Sequence, residues 1–286
     1  MVESEDGLLL GCDFSSTPSP RKPIVVALGQ WHSDGLRLIA VERDATLALW
    51  EARLQAMPRW VGAFDFPFGL PRALVQAMGW PLDWAACQAH YANLTRADIR
   101  SRFRAFCQAR PAGRKFVHRA CDGPAGSSPS MKWVNPPVAW MMHAGVPVLR
   151  RLAAHFPGLG GAAQPAGTAR IALEAYPGYL ARGVLGRTPY KADDRARQSA
   201  THTLARRRLV DALTSGQNPL DLAVALTQKQ QQALVDDPKG DMLDAVLALL
   251  QAAWAQRQHD LGHPHWGLPE RVDPLEGWIV GVPAPA

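Results

Sequence analysis

The sequence predicts an α/β fold, a mixed sheet flanked by helices and interrupted by a mainly helical insertion. Three observations carry this. Short apolar runs at 8–14, 24–31, 35–43 and 59–66 have strand length and are bounded by turn residues. The segment 44–57 between the third and fourth runs has helical apolar spacing instead, at Leu47, Leu49, Trp50 and Leu54. Strand character then returns only at 169–175, after a long helical and loop-rich stretch.

In order along the chain, LLLGCDF (8–14) is a short buried strand and SSTPSPRKP a turn. The runs 24–31 and 35–43 flank Ser33-Asp34-Gly35, a hairpin signal. Asp44 is placed to cap the following helix, and Pro67 ends the fourth strand. From Gly69 to about residue 165 the chain reads as helices at 70–78, 84–93 and 96–110, then a Gly/Pro/Ser-rich loop to Pro137. A helix at 138–156 interrupted near Pro147 and a glycine-rich link follow. Beyond the strand at 169–175 come a basic helix at 194–213, a short helix near 227–235, a long helix at 238–257 and an edge strand at 277–282. The whole, 1–286, reads as one domain with an insertion at 69–165. No internal repeat is present.

With 286 residues, 47% hydrophobic and 20% charged, the chain can bury a large core, which excludes a disordered protein. The net charge of +6 is compatible with a polyanionic partner such as nucleic acid. Cys12, Cys87, Cys107 and Cys121 lack paired spacing, so a reduced, cytoplasmic setting is expected. The acidic start, MVESEDG, has no signal-peptide pattern. The apolar stretch at 245–255 is too short for a bilayer, and no membrane partner is expected. A homo-oligomer is compatible with the chain, although the sequence marks no interface.

The chemistry is expected from carboxylates at element ends. Asp13 ends the first strand, Asp65 ends WVGAFDF, Glu174 follows ARIAL, and Asp241 and Asp244 open DMLDAVLALLQAAWA on one helical face. Each has a structural reading too: a turn Asp at 13, a turn-amide acceptor at 65, helix-entry acids at 174, 241 and 244. A bare carboxylate against an apolar frame costs several kcal/mol or more to bury unpaired, and several such placements in one chain suggest a shared cation. Scattered oxygen donors suit Mg²⁺ or Mn²⁺, and ions held this way support phosphodiester hydrolysis.

LLLGCDFSST, AFDFPFGLPR, ALEAYPGYL, GDMLDAVLALLQAAWA and LEGWIVGVP together resemble the family of predicted RNase H-like nucleases described as domain of unknown function 429. The resemblance covers nearly the whole chain in order, through D-x-P-x-G-x-P, E-x-Y-P and D-x-x-D-A elements. It implies a resolvase-like sheet of five mixed strands opening with a hairpin, and acids at its centre. Asp13, Asp65, Glu174 and Asp244 then become the catalytic set, with Asp241 beside them as a further metal ligand. DFSST stands where many members of the broader superfamily carry a glycine-containing turn. Two other readings remain open. One is a single-domain relative of sugar-kinase and actin-like nucleotide-binding proteins, with DFSST and Lys22 on phosphates. The other is a non-catalytic binding protein that keeps the fold. A dehalogenase-type phosphatase is disfavoured because Ser15 replaces the second acid of its loop.

Phosphate contacts are expected from Ser15 and Ser16, and from Lys115 and Arg119 in a basic loop with Arg114, His118 and Lys132. Arg195, Arg197, Arg206, Arg207 and Arg208 read as a solvated helix face. Trp133, Trp140, Met141 and Met142 read as packing residues that otherwise would stack bases. His259, His263 and His265 lack the further ligands of a zinc site. No nucleophile elbow, P-loop or dinucleotide fingerprint occurs.

Overall fold

The computed structural model describes residues 7–160, 167–192, 194–263 and 265–284. The acidic N-terminus (1–6), most of the glycine-rich link (161–166) and the side chain of Arg195 lie outside the described residues.

The chain opens with three strands, β1 (Leu8–Asp13), β2 (Ile24–His32) and β3 (Gly35–Asp44), then helix α1 (Leu47–Ala56) and strand β4 (Trp60–Phe64). Among the described residues, five helices lie between β4 and the next strand: α2 (Arg72–Ala77), α3 (Trp84–Asn93), α4 (Arg96–Gln108), α5 (Asp122–Ala125) and α6 (Val138–Arg151). They are followed by β5 (Arg170–Glu174), α7 (Pro177–Leu185), α8 (Ala200–Ser215), β6 (Val224–Ala225), α9 (Gln228–Asp236) and α10 (Asp241–Asp260).

The strands form one sheet in the order β5-β4-β1-β2-β3-β6. β1, β2 and β3 pair antiparallel as a meander, whereas β4 joins β1 and β5 joins β4 in parallel. The sheet is mixed, as expected, but among the described residues it has six strands rather than five. β6 pairs parallel with β3 over two residues, too short to leave an alternating pattern in the sequence. The expected edge strand at 277–282 is a single bridge from Ile279 to Glu174, with the Val280 amide donating to the Glu174 carbonyl at 2.9 Å.

Alternation along the strands divides the core into two layers. Leu9, Val25, Ala27, Val61, Ala63, Ile171 and Leu173 face a layer built with α7 to α10. Leu10, Cys12, Ile24, Val26, Phe64 and Ala172 face the other, with α1 to α4 and α6, whereas Ala125 of α5 packs in the first layer. Helix α10 is apolar almost all round and lies buried directly on the sheet. Gly11 permits this: a Cβ there would stand 1.9 Å from the Leu249 amide nitrogen and 2.2 Å from the Ala245 carbonyl oxygen.

Two local expectations are corrected. Thr46 rather than Asp44 caps α1, accepting from the Leu49 amide. Asp44 instead ends β3, buried, and takes both arms of the Arg53 guanidinium at 2.8 and 2.9 Å. Helix α6 runs through Pro147 without a break. All four cysteines are free and buried. Among the described residues, no helix is long and apolar enough to cross a membrane.

Candidate acidic site at the sheet edge

Strand parity decides which acids meet. In β1, Leu9 and Gly11 face α10, so Asp13, two residues on, points to the same layer. In β4, Val61 and Ala63 face that layer, and Asp65 continues the series just past the strand end. The parallel register sets Cys12 beside Phe64, and the Asp65 amide donates to the Cys12 carbonyl at 2.9 Å. Asp13 and Asp65 therefore end neighbouring strands side by side. Helix α10, seated on Gly11, brings its first turn with Asp241 and Asp244 over the same edge.

Glu174 obeys the same rule with the opposite result. Phe64 pairs with Glu174, and Phe64 belongs to the other layer, so Glu174 projects to the α1–α6 side. There it is 4% exposed and is held by Arg119, whose guanidinium donates to both carboxylate oxygens at 2.7 and 2.6 Å. The Phe68 amide donates to it as well, at 2.9 Å. Arg119, expected on a phosphate, is 3% exposed, and its other donors go to Asp122 at 2.9 and 3.2 Å and to the Glu276 carbonyl at 3.1 Å. Burial is the largest influence on Glu174 and raises its pKa, with Arg119 opposing. Glu174 and Arg119 thus form a buried ion pair on the other face of the sheet that borders the cluster, since Glu174 lines a cavity with Asp65 and its charge adds to those raising the Asp65 pKa.

Within the cluster, Asp244 is 1% exposed and accepts from the Tyr190 hydroxyl and the Lys191 ammonium. Asp13 and Asp65 are half-buried, and burial is nevertheless the largest influence on both carboxyls. Burial and then the charge of Asp244 raise Asp13 well above the usual carboxylate range. The same two causes push Asp65 up to about 7. Asp241 is raised too, by burial and then by Asp237 and Asp244. Burial works against the Lys191 charge, but Asp244, Tyr190 and Asp13 outweigh it and hold the ammonium well above its ordinary pKa. Lys191 thus supplies the counter-charge for four carboxylates.

Sequence reading missed Tyr190 and Lys191, because RTPYK carries no motif and sits on a loop after α7. Their support was misassigned as well. Arg206, expected on a solvated face, is buried and donates to the Tyr190 carbonyl at 2.9 Å and the Val235 carbonyl at 2.6 Å. Gly240, with φ of +72°, caps α10, and the Lys191 Cβ lies 3.1 Å from where its own Cβ would stand.

The remaining expected site residues lie elsewhere. Ser15 is buried and Ser16 half-buried on the loop after β1, where Arg96 donates to the Ser16 carbonyl at 3.0 Å. Lys115 and Lys22 are exposed and line neither cavity at the acids. Trp133 packs on Phe116, and Trp140 lies beneath Arg96 and Arg100, so both serve packing. His259 stacks on Trp266 at 4.1 Å, and His263 and His265 are exposed.

Two cavities open on the cluster. One, of about 410 Å³, runs past Asp65 and Asp244 between Tyr190, Lys191, Arg187 and Tyr176. The other, of about 210 Å³, lies on the far side of Asp65 and is lined by Phe66, Pro136, Val138, Met141 and Ile279. Among the described residues, no group of three or more His, Cys, Asp or Glu stands ready to close round a metal ion. The donor chemistry is nonetheless that of a hard-cation site, with carboxylate oxygens and neither thiolate nor imidazole. Lys191 is the obstacle, and its side chain, 42% exposed, has room to turn outward.

The raised Asp65 pKa sets a pH dependence. An ordinary Asp ionises near 3.8, and in the fold this one ionises near 7. Between those values the folded chain holds a proton that the unfolded chain has released, so stability falls as pH rises through this window. Asp65→Asn should remove this term. In chelator, it is expected to raise stability at pH 8 by about 2–4 kcal/mol and to change it little at pH 4. Urea denaturation at the two pH values measures both.

Compared with family profiles, curated proteins and solved structures, the chain finds no match in any of the three.

Proposed function

We propose that the chain is an RNase H-like, divalent-cation-dependent phosphodiesterase acting on nucleic acid, with Asp13, Asp65, Asp241 and Asp244 as its metal-binding set. One observation carries the reading: carboxylates from β1, the end of β4 and the start of α10 converge at the ends of two central strands, where the pKa values of Asp13, Asp65 and Asp241 are driven up. Among the described residues, Lys191 is the single cation facing all four carboxylates there, which favours the uptake of a further cation. The strand order supports it too, with an antiparallel meander followed by parallel β4 and β5. A mixed sheet that opens with a hairpin agrees with what the sequence resemblance implies, although it has six strands among the described residues rather than five.

Mg²⁺ or Mn²⁺ bound there would activate water and stabilise a leaving oxygen. The chain's own residues do the rest. Tyr190 orients Asp244 through its hydroxyl. Lys191 neutralises the cluster in the absence of metal and, once displaced outward, places a positive charge beside an incoming phosphate. The Arg119–Glu174 pair fixes the chain after β5 from the opposite face.

The Lys191–Asp244 contact also favours a second reading, a non-catalytic binding protein whose acids are neutralised internally. Thermal unfolding with EDTA, Mg²⁺ or Mn²⁺ at pH 8 separates the two. Under the first reading, metal at a hundredfold over its Kd stabilises the wild type by about 2.7 kcal/mol. Asp13→Asn abolishes that gain, together with cleavage of single-stranded and branched nucleic acids. Absence of any metal response at millimolar concentration favours the second reading.

A further inference from the structure

The two cavities at the cluster meet along Asp65, Tyr176 and Lys191, yet their walls differ in kind. The larger is walled on its outer side by Arg187, which is exposed and, among the described residues, makes no hydrogen bond or ion pair. Its neighbour Arg182 is already committed to the Ala125 and Gly126 carbonyls at 2.7 and 3.1 Å. Arg187 is therefore the guanidinium left for an anion. The smaller cavity has apolar walls of Phe66, Pro136, Val138, Met141 and Ile279, with Ser127, Ser128 and the Arg119–Glu174 pair also lining it. Its volume of about 210 Å³ falls below the range of about 300–1,000 Å³ that encloses a whole drug-sized ligand.

We propose that this pair of cavities binds one unstacked nucleotide of a single-stranded nucleic acid. The base enters the smaller, apolar cavity beside Met141 and Tyr176, and the phosphate lies in the larger one between Lys191 and Arg187. A flat ring with polar edges fits a slot whose walls are mainly apolar and whose rim carries the hydroxyls of Ser127, Ser128 and Tyr176 and the charged groups of Asp65, Arg119, Glu174 and Lys191. Positive charge one phosphate away fits the wall that Arg187 and Lys191 form. A base paired and stacked in a duplex does not reach such a slot without first leaving the stack. The choice of a phosphodiester as the anion rests on the function proposed above, whereas the base-binding slot does not.

The test is binding in EDTA, so that no metal and no cleavage are involved. Fluorescence anisotropy compares a labelled ten-residue oligothymidylate, an abasic oligomer of equal length and a duplex of equal length. The oligothymidylate is expected to bind about tenfold tighter than either of the others, within the range that base stacking on side chains gives. Val138→Trp, which fills the slot, should erase the difference between oligothymidylate and abasic oligomer. Met141→Glu provides the same readout if Val138→Trp does not fold. Arg187→Ala should weaken both single strands by a similar factor. Equal affinity for the oligothymidylate and the abasic oligomer, or tighter binding of duplex, overturns the inference. If metal stabilisation is present in that case, the phosphodiesterase reading survives it. Base-dependent binding without any metal response leaves the slot established and removes the phosphodiesterase.

Discussion

Gly11→Ala is expected to lower the melting temperature by about 10 °C or more, although it adds a single methyl group. The new Cβ would stand 1.9 Å from the Leu249 nitrogen, 2.2 Å from the Ala245 oxygen and 2.6 Å from the Ala248 carbonyl carbon. All three are backbone atoms of a buried helix, so no rotamer change relieves the contact, and α10 itself must move. Ordinary overpacking costs about 1–3 kcal/mol, and this case belongs above that range. Gly29→Ala is the control, because it faces the same Leu249. There the nearest atoms are Leu249 Cδ2 at 2.9 Å, the Arg37 carbonyl oxygen at 3.0 Å and Leu249 Cδ1 at 3.1 Å. The leucine can turn, and a loss of about 1 kcal/mol is expected. The site should respond in the same order. Lifting α10 separates Asp241 and Asp244 from Asp13, so metal stabilisation should fall sharply in Gly11→Ala and persist in Gly29→Ala. Calorimetry of both variants with and without Mn²⁺ reads the two effects together.

That dependence explains what the sequence could and could not disclose. The first four strands and α1 were legible because period-two and helical patterns alternate there, with Ser33-Asp34-Gly35 marking the hairpin. Asp13 and Asp65 were legible for the same reason, since each ends an apolar run whose direction is fixed. Asp241 and Asp244 were placed by the apolar face of their helix. Glu174 looked equivalent because it also ends a strand, but its partner across the ladder is Phe64 rather than Asp65. A register offset of one residue sends a side chain to the other face of a sheet, and register between distant strands is not written in either one alone. Arg119, Arg206 and Lys191 were misread or missed for a related reason. Their roles come from carbonyls and carboxylates tens of residues away, whereas locally they look like ordinary basic residues in polar segments. β6 escaped because two residues carry no period.

Arg119→Met should destabilise the fold by about 3–5 kcal/mol at pH 8, the cost of leaving a buried carboxylate without its partner. Both Glu174 and Asp122 lose their cation, and their side chains are 3% and 0% exposed. The loss should shrink as pH falls. Burial already raises the Glu174 pKa against the pull of Arg119, and without the guanidinium it rises further. An acid raised in the fold takes up its proton there first, so acidification favours the folded variant relative to the unfolded one. Pairing the change with Glu174→Gln removes one stranded charge and should restore part of the stability, giving a coupling energy of about 2 kcal/mol in a double-mutant cycle. The same cycle tests the division of the acids between the two faces. Glu174→Gln alone keeps Arg119 on Asp122 and changes the cluster only by relieving Asp65 of one repelling charge, so metal stabilisation should survive it. Loss of the metal response in Glu174→Gln, with the fold intact, would return Glu174 to the metal-binding set and break that division.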